Sequence, residues 1–221
     1  MKFAVIGLGQ FGFQLAVELA DQGHEVLAVD NVERTIDEIC DRVAHAVIAD
    51  ATDRKSLEHL ALDDLDGVCV TIGEDLAVSL DITGLLQEMG VKRLYCRVLS
   101  PRHERLLRLM KVEHLIQAES LAARQLAKRM GIRGATRHFA LNEEYAIVEL
   151  ETPEFLVGKV LSEFDLRGKY GLNLITVKRP VEGADGKVMG VPKPDWVFVE
   201  GDELVVFGKE ASIKAFPQRQ R

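Results

Sequence analysis

The stretch that decides the fold is MKFAVIGLGQFG at residues 1–12, followed at residues 25–30 by EVLAVD. An apolar run ends in Gly7-x-Gly9-x-x-Gly12, and helical spacing begins at once behind it. In such a loop the first glycine permits a tight turn and the second lets a phosphate approach the backbone. The third lets the helix pack close on the strand. The helix N-terminus then offers N–H groups and a partial positive charge. The second apolar run ends at Asp30, 18 residues past Gly12. A carboxylate there accepts hydrogen bonds from both ribose hydroxyls and repels a 2′-phosphate. The loop is therefore expected to hold an adenosine phosphate other than NADP. The glycines do not choose between NAD and a mononucleotide, and a tight turn without ligand is the plainer alternative.

Working outward, the first 130 residues alternate two textures. Strand-length apolar runs fall at 2–8, 25–30, 45–50, 67–73, 93–98 and 114–117. Helical spacing fills Phe11 to Gln22, Glu33 to Arg42, Lys55 to Ala61, Leu76 to Met89 and Arg102 to Met110, and returns from Ser120 to Met130. Runs apolar on both faces suit a parallel sheet covered by helices on each side. Strict alternation then predicts an α/β, doubly wound, Rossmann-like parallel sheet over residues 1–133. GIRGATRHFALN (131–142) has no clear apolar period, and 134–142 is read as a linker. Residues 143–221 are read as a small α+β C-terminal domain. It would hold a strand at 144–151, a polar helix at 157–166, a strand at 171–179 and a turn-rich segment at 181–195. Two strands within 196–208, a helix from Lys209 to Phe216 and a basic PQRQR tail would complete it.

Bulk properties exclude several classes. The net charge of −7 gives no support to nucleic-acid binding. No apolar run approaches the ~20 residues that span a bilayer. Met1-Lys2 leads directly into a strand-like run, so no signal peptide is expected. Three widely spaced cysteines, two inside apolar runs, read as buried free thiols in a reducing compartment. The histidines show no metal-ligand spacing. Neither a Tyr-x-x-x-Lys pair, a Gly-x-Ser-x-Gly elbow nor a P-loop is present, which favours a nucleotide sensor over an enzyme. An NAD-dependent oxidoreductase of small size is the competing reading.

FAVIGLGQFG, GHEVLAVD, HAVIADAT, TIG and the Glu that opens the last helix of the first domain resemble one known family. So do KYGLNLITVKR and PDWVFVEGDELVVFG in the second half. The family is the cytoplasmic regulatory subunits of Trk/Ktr-type potassium uptake systems, built from "regulator of conductance of potassium" domains. The resemblance implies a regulator without turnover. It would be a homodimer assembling to a homo-octameric ring, cytoplasmic and held at the inner face of the membrane by a potassium channel or transporter. ATP and ADP are the implied ligands, with NAD(H) or AMP as others, Mg2+ or Ca2+ as a companion, and cyclic di-AMP less favoured.

Carried over by position, Gly7, Gly9 and Gly12 would line the phosphates, with Gln10 and Phe11 at the helix start. Asp30 would take the ribose, with Asn31 beside it. Asp50, Ala51 and Thr52 would surround the adenine, Ile72 and Gly73 would close the pocket, and Arg97 would end strand five. Glu119 would bind a divalent cation. One departure stands out: many Ktr-type members carry Arg where this chain has Gln10, which weakens the case for selecting ATP over ADP. The stretch LLRLMKV (106–112) makes Leu106, Leu107, Leu109 and Met110 candidates for a dimer interface, or for an intrachain core face.

Overall fold

The computed structural model describes residues 1–181 and 184–216, and only the backbone of Ala184 and Asp185. The basic tail at 217–221 lies outside the described residues. The chain divides into two compact units, Met1–Ala118 and Glu119–Arg221.

The first unit is a six-stranded parallel sheet. Its strands are β1 (Lys2–Ile6), β2 (Glu25–Asp30), β3 (His45–Ile48), β4 (Gly67–Val70), β5 (Leu94–Arg97) and β6 (His114–Ile116), in the order β3-β2-β1-β4-β5-β6. Between them run α1 (Gln10–Asp21), α2 (Glu33–Ile39), α3 (Arg54–Glu58), α4 (Leu76–Glu88) and α5 (Pro101–Leu109). All four residues of β4 are buried, as a central parallel strand requires. Alternation along β1 divides the core. Ala4 and Ile6 pack with Val68, Val70, Ile82, Leu86 and Leu107. Val5 packs on the opposite side with Ala16, Val17, Ile36, Ile39 and Cys69. The sheet is therefore doubly wound, and its strand order reverses between β1 and β4. The crevice outside the carboxyl ends of these two strands is where ligands bind in such folds.

Leu107, a dimer-interface candidate from the sequence, is fully buried in this unit's own core, and Met110 packs against that core. Leu109 is exposed. Cys69 and Cys96 are buried, and Cys40 is exposed.

The helix α6 (Ala118–Met130), none of whose side chains is buried, begins at the last residue of the first unit and otherwise belongs to the second. The strands β7 (Ala135–Ala140), β8 (Tyr145–Glu151), β9 (Leu172–Val181), β10 (Ala184–Val188) and β11 (Glu203–Lys209) form an antiparallel sheet in the order β10-β9-β11-β8-β7. Its core gathers Val148, Leu150, Leu172, Val177, Phe198, Leu204, Val206 and Phe216. The helices α7 (Leu166–Tyr170) and α8 (Glu210–Ala215) complete the unit.

Four expectations change here. The 134–142 linker contains β7, which pairs with β8 from Ala135 to Ala140; this partner, invisible in the local pattern, supplies the order. The helix expected at 157–166 is a 3-10 turn at Leu161–Glu163 with α7 beginning at Leu166. The turn-rich segment carries β10. The strand expected at 196–199 is not one: Val197 makes a single isolated bridge to Val160. The segment instead hangs on Asp202, whose buried carboxylate takes Arg179 through two nitrogens at 2.8 and 2.9 Å and the Val199 amide at 3.1 Å.

Candidate functional site

The glycine loop is shaped from beneath. Gly7 takes φ +92°, and a Cβ there would lie 2.5 Å from Ile72 Cδ1. Gly12 lies closer still to its neighbours. A Cβ on it would fall 2.0 Å from the Gly7 carbonyl oxygen and 2.5 Å from Thr71 Oγ1. Gly7 and Gly12 are thus packing glycines. Gly9 differs: an added Cβ would meet nothing within 4 Å, and its backbone is extended at φ −60°, ψ −179°. Its exposed side opens onto space at the start of α1. No side chain caps α1, whereas Asp53, Asp75 and Ser100 cap α3, α4 and α5. The first-turn N–H groups of α1 are accordingly available to an acceptor from outside the chain.

Thr71, which the sequence reading did not single out, fixes the loop. It is 1% exposed, and its hydroxyl donates to the Gly7 carbonyl at 2.6 Å, with the Ile6 carbonyl at 3.0 Å. A polar residue within the apolar run GVCVTIG (67–73) was the available signal. Asp30 ties two loops together. One carboxylate oxygen accepts the Leu8 amide at 2.5 Å, the other the Val32 amide at 2.9 Å. It holds the glycine loop against the end of β2 while remaining only half-buried. Asn31 beside it is exposed.

Asp50 closes a small turn beyond β3. Its Oδ1 accepts the Thr52 amide at 2.9 Å and the Thr52 hydroxyl at 2.7 Å. The hydroxyl bond, then the amide bond, hold the Asp50 carboxyl below its ordinary value, so it is ionised at neutral pH. Ala51 turns into the core between these two residues. On the other side of the crevice, Arg97 at the end of β5 lays its guanidinium over the Phe11 ring, 5.6 Å from the centroid. A Cβ on Gly73 would lie 2.6 Å from Arg97 Nη1.

Gly7, Gly9, Phe11, Gly12, Ile72, Gly73 and Arg97 are thus brought together at the switch point, with Gln10 exposed at the first position of α1. Asp30 joins them through Leu8, and Asp50–Thr52 lies beyond the neighbouring strand end. Glu119 lies in the first turn of α6, in the second unit. Among the described residues no group of three or more His, Cys, Asp or Glu side chains could hold a metal ion. What the crevice offers is amide donors for an anion, a carboxylate for hydroxyls, and one guanidinium.

Residues 3–118 match the TrkA-N domain model, and residues 145–218 match the TrkA-C domain model. The chain belongs to the TrkA-N family. The TrkA-N match spans every nucleotide-site candidate from Gly7 to Arg97, and Glu119 lies one residue beyond it. Ktr system potassium uptake protein C of Bacillus subtilis is 34% identical over 99% of this chain and 96% of its own length. Ktr system potassium uptake protein A of the same organism is 32% identical over 97% and 95%. Among solved structures, the GsuK channel bound to NAD has a TM-score of 0.60 at 19% identity. That likeness covers 96% of this chain and 38% of the GsuK chain, and it concerns the fold. Among the described residues no helix is long and apolar enough to cross a membrane.

Proposed function

We propose that this TrkA-N protein is a regulatory subunit of a membrane potassium uptake system, switched by an adenine nucleotide held at the glycine loop. The observation that carries the reading is the contrast among the three glycines. Two are locked by packing, and Gly9 alone opens toward uncapped amides, beside an Asp30 already bound to the loop. The similarity to two Ktr potassium uptake proteins over nearly whole lengths supports the transport role.

In this reading the α1 amides and the Gly7–Gly12 loop take the phosphates, Asp30 the ribose, Asp50 to Thr52 the adenine side, and Ile72, Gly73 and Arg97 the far wall. The ligand is ADP, ATP, AMP or NAD(H). Glu119 would supply one ligand to a Mg2+ or Ca2+ ion completed by nucleotide and by a second copy of the chain. That copy belongs to a homodimer, the building block of an octameric ring on the cytoplasmic face of the transporter. The exposed Leu109, Leu121, Leu126 and Met130 support a partner of this kind. Cyclic di-AMP is not favoured. Gating then follows from population shift: a nucleotide moves the ring by the difference in its affinity for two conformations, and by no more.

The test is a calorimetric and thermal-shift panel of ATP, ADP, AMP, NAD+, NADH and cyclic di-AMP, with and without Mg2+, on the full chain and on Asp30→Ala. A ligand at 100 times its dissociation constant adds about 2.7 kcal/mol. The reading requires binding that Asp30→Ala abolishes, together with recovery of a potassium-translocating subunit from membranes. Turnover of a small substrate with NAD would overturn it in favour of an oxidoreductase.

A further inference from the structure

We propose that the groove between α6 and the edge strand β7 is a docking site for an extended, acidic segment of another protein, which adds to β7 as a further strand. The inference goes beyond the nucleotide reading and holds whether or not a ligand occupies the first unit.

The first observation is the edge. β7 comes last in the order β10-β9-β11-β8-β7. β8 pairs one side of it, and no strand among the described residues pairs the other. Such an edge offers backbone donors and acceptors to an incoming chain. The second is shape. α6 runs beside this edge and leaves a groove of about 490 Å3. Ala122, Gln125, Leu126 and Arg129 line it from one face of the helix, and residues 136–139 line it from the strand. Leu126 and Phe139 are both about half exposed and give an apolar side chain a place to rest. His138 lines the same groove. It is 8% exposed, and its buried Nε2 has no hydrogen-bond partner among the described residues. Buried polar atoms are rarely left so, and an occupant of the groove would supply the missing partner.

The third observation is charge. From Ser120 to Ala140 the chain carries Arg124, Lys128, Arg129, Arg133 and Arg137 and no Asp or Glu, within a chain of net charge −7. Lys128 is paired with Glu210, and Arg137 with Glu149. Arg124, Arg129 and Arg133 form no ion pair among the described residues, and Arg129 lines the groove. Glu210, whose charge acts on His138, is held by Lys128 at 3.3 Å and Lys214 at 3.1 Å. It is therefore no unpaired carboxylate that would repel an acidic guest.

Charge also selects among occupants. The chain's own tail, PQRQR, is basic. The strand edges that a second copy could add hold no acidic excess. HAVI of β3 and HLI of β6 have no carboxylate, and ADGKV of β10 balances one with a lysine. The acidic strand β8 is already paired on both sides. The guest that fits is a strand-forming segment of another protein, with carboxylates for Arg129 and an apolar side chain for Leu126 and Phe139.

The experiment uses the full chain and three fluorescently labelled peptides. One alternates Asp with Val, one alternates Lys with Val, and one is the Asp–Val peptide N-methylated throughout. Anisotropy gives dissociation constants at low and high salt, and hydrogen exchange locates the contact. We expect the Asp–Val peptide to bind with a dissociation constant below about 1 mM, to protect the amides of β7, and to weaken at high salt. The Lys–Val peptide should bind at least about fivefold more weakly. The N-methylated peptide, which cannot donate to a strand, should lose at least about tenfold. Arg129→Glu and Ala122→Trp alter exposed residues, and unchanged melting midpoints will show that both variants fold. The first should cost the Asp–Val peptide at least about fivefold, and the second, which fills the groove, should abolish its binding. Equal binding of the acidic and basic peptides would overturn the proposal, as would tolerance of N-methylation or of either variant, or protection away from β7. So would no binding up to about 1 mM, or a dimer that Ala122→Trp splits into monomers, which would give the groove to a second copy.

Discussion

Replacing Gly12 and Gly9 separately by alanine should have opposite consequences, although both belong to one motif. At Gly12 the new methyl would lie 2.0 Å from the Gly7 carbonyl oxygen and 2.5 Å from Thr71 Oγ1. Both neighbours are buried and held, so α1 must back away from β1. Overpacking of this kind costs about 1–3 kcal/mol, and disturbing the Thr71–Gly7 hydrogen bond adds about 1 kcal/mol. Alanine inside a helix returns up to about 1 kcal/mol over glycine. The net loss is about 1–3 kcal/mol, and at about 4 °C per kcal/mol the melting midpoint falls by about 4–12 °C. At Gly9 the methyl meets no atom, and φ −60° suits any residue. A gain of about 0.4–1 kcal/mol from a stiffer unfolded chain offsets alanine's poor fit at the N-cap. Stability therefore stays within about 0.5 kcal/mol of wild type, while the methyl blocks the approach of phosphate. Calorimetric melting and titration with ADP and NAD+ separate the two effects. If Gly9→Ala melts as early as Gly12→Ala, or binds nucleotide like wild type, the division of labour argued for the loop is wrong.

The remaining expectations concern stability, pH and thiol reactivity. Asp202→Ala leaves the Arg179 guanidinium and the Val199 amide without their buried acceptor. It should cost about 1–3 kcal/mol, because Arg179 is partly exposed and can turn to water, seen as a lower urea midpoint for the second unit. His103 is fully buried and accepts the Leu99 amide at Nδ1, and burial lowers its pKa. A neutral native imidazole gives stability that is complete above the unfolded value of about 6.5. That stability is lost as pH falls from there through the lower folded value. Unfolding free energy measured from pH 8 to 5 should therefore slope downward toward acid, and His103→Leu should flatten part of that slope while lowering the pH 8 value. Burial pushes Cys69 up to about 12 and raises Cys96, while Cys40 is exposed. An aromatic disulfide reagent should titrate one thiol in the native chain and three in urea; fast reaction of more than one would contradict the packing around β4 and β5.

The first unit was legible because its evidence is local. The central parallel strands are apolar on both faces, so KFAVI and GVCV declare themselves without reference to a partner. Gly7, Gly9, Gly12 and Asp30 carry their meaning in spacing alone. The sequence could not show which glycine packs and which opens, because that depends on Ile72 and Thr71, about 60 residues away. It could not place Arg97 over Phe11 for the same reason. In the second unit the logic reverses. The stretch ATRHFA has no two-residue alternation of its own and becomes a strand only against β8, with a register shift near Ala135. WVFV has the look of a strand, yet Asp202 and Arg179 hold its neighbourhood in another shape. Local pattern therefore identified the glycine loop, and long-range contact decides which of its glycines packs and which opens. Closely related sequences with an intact glycine motif should then differ in ligand preference through residues such as Gln10, Gly73 and Arg97, whose identity the motif does not specify.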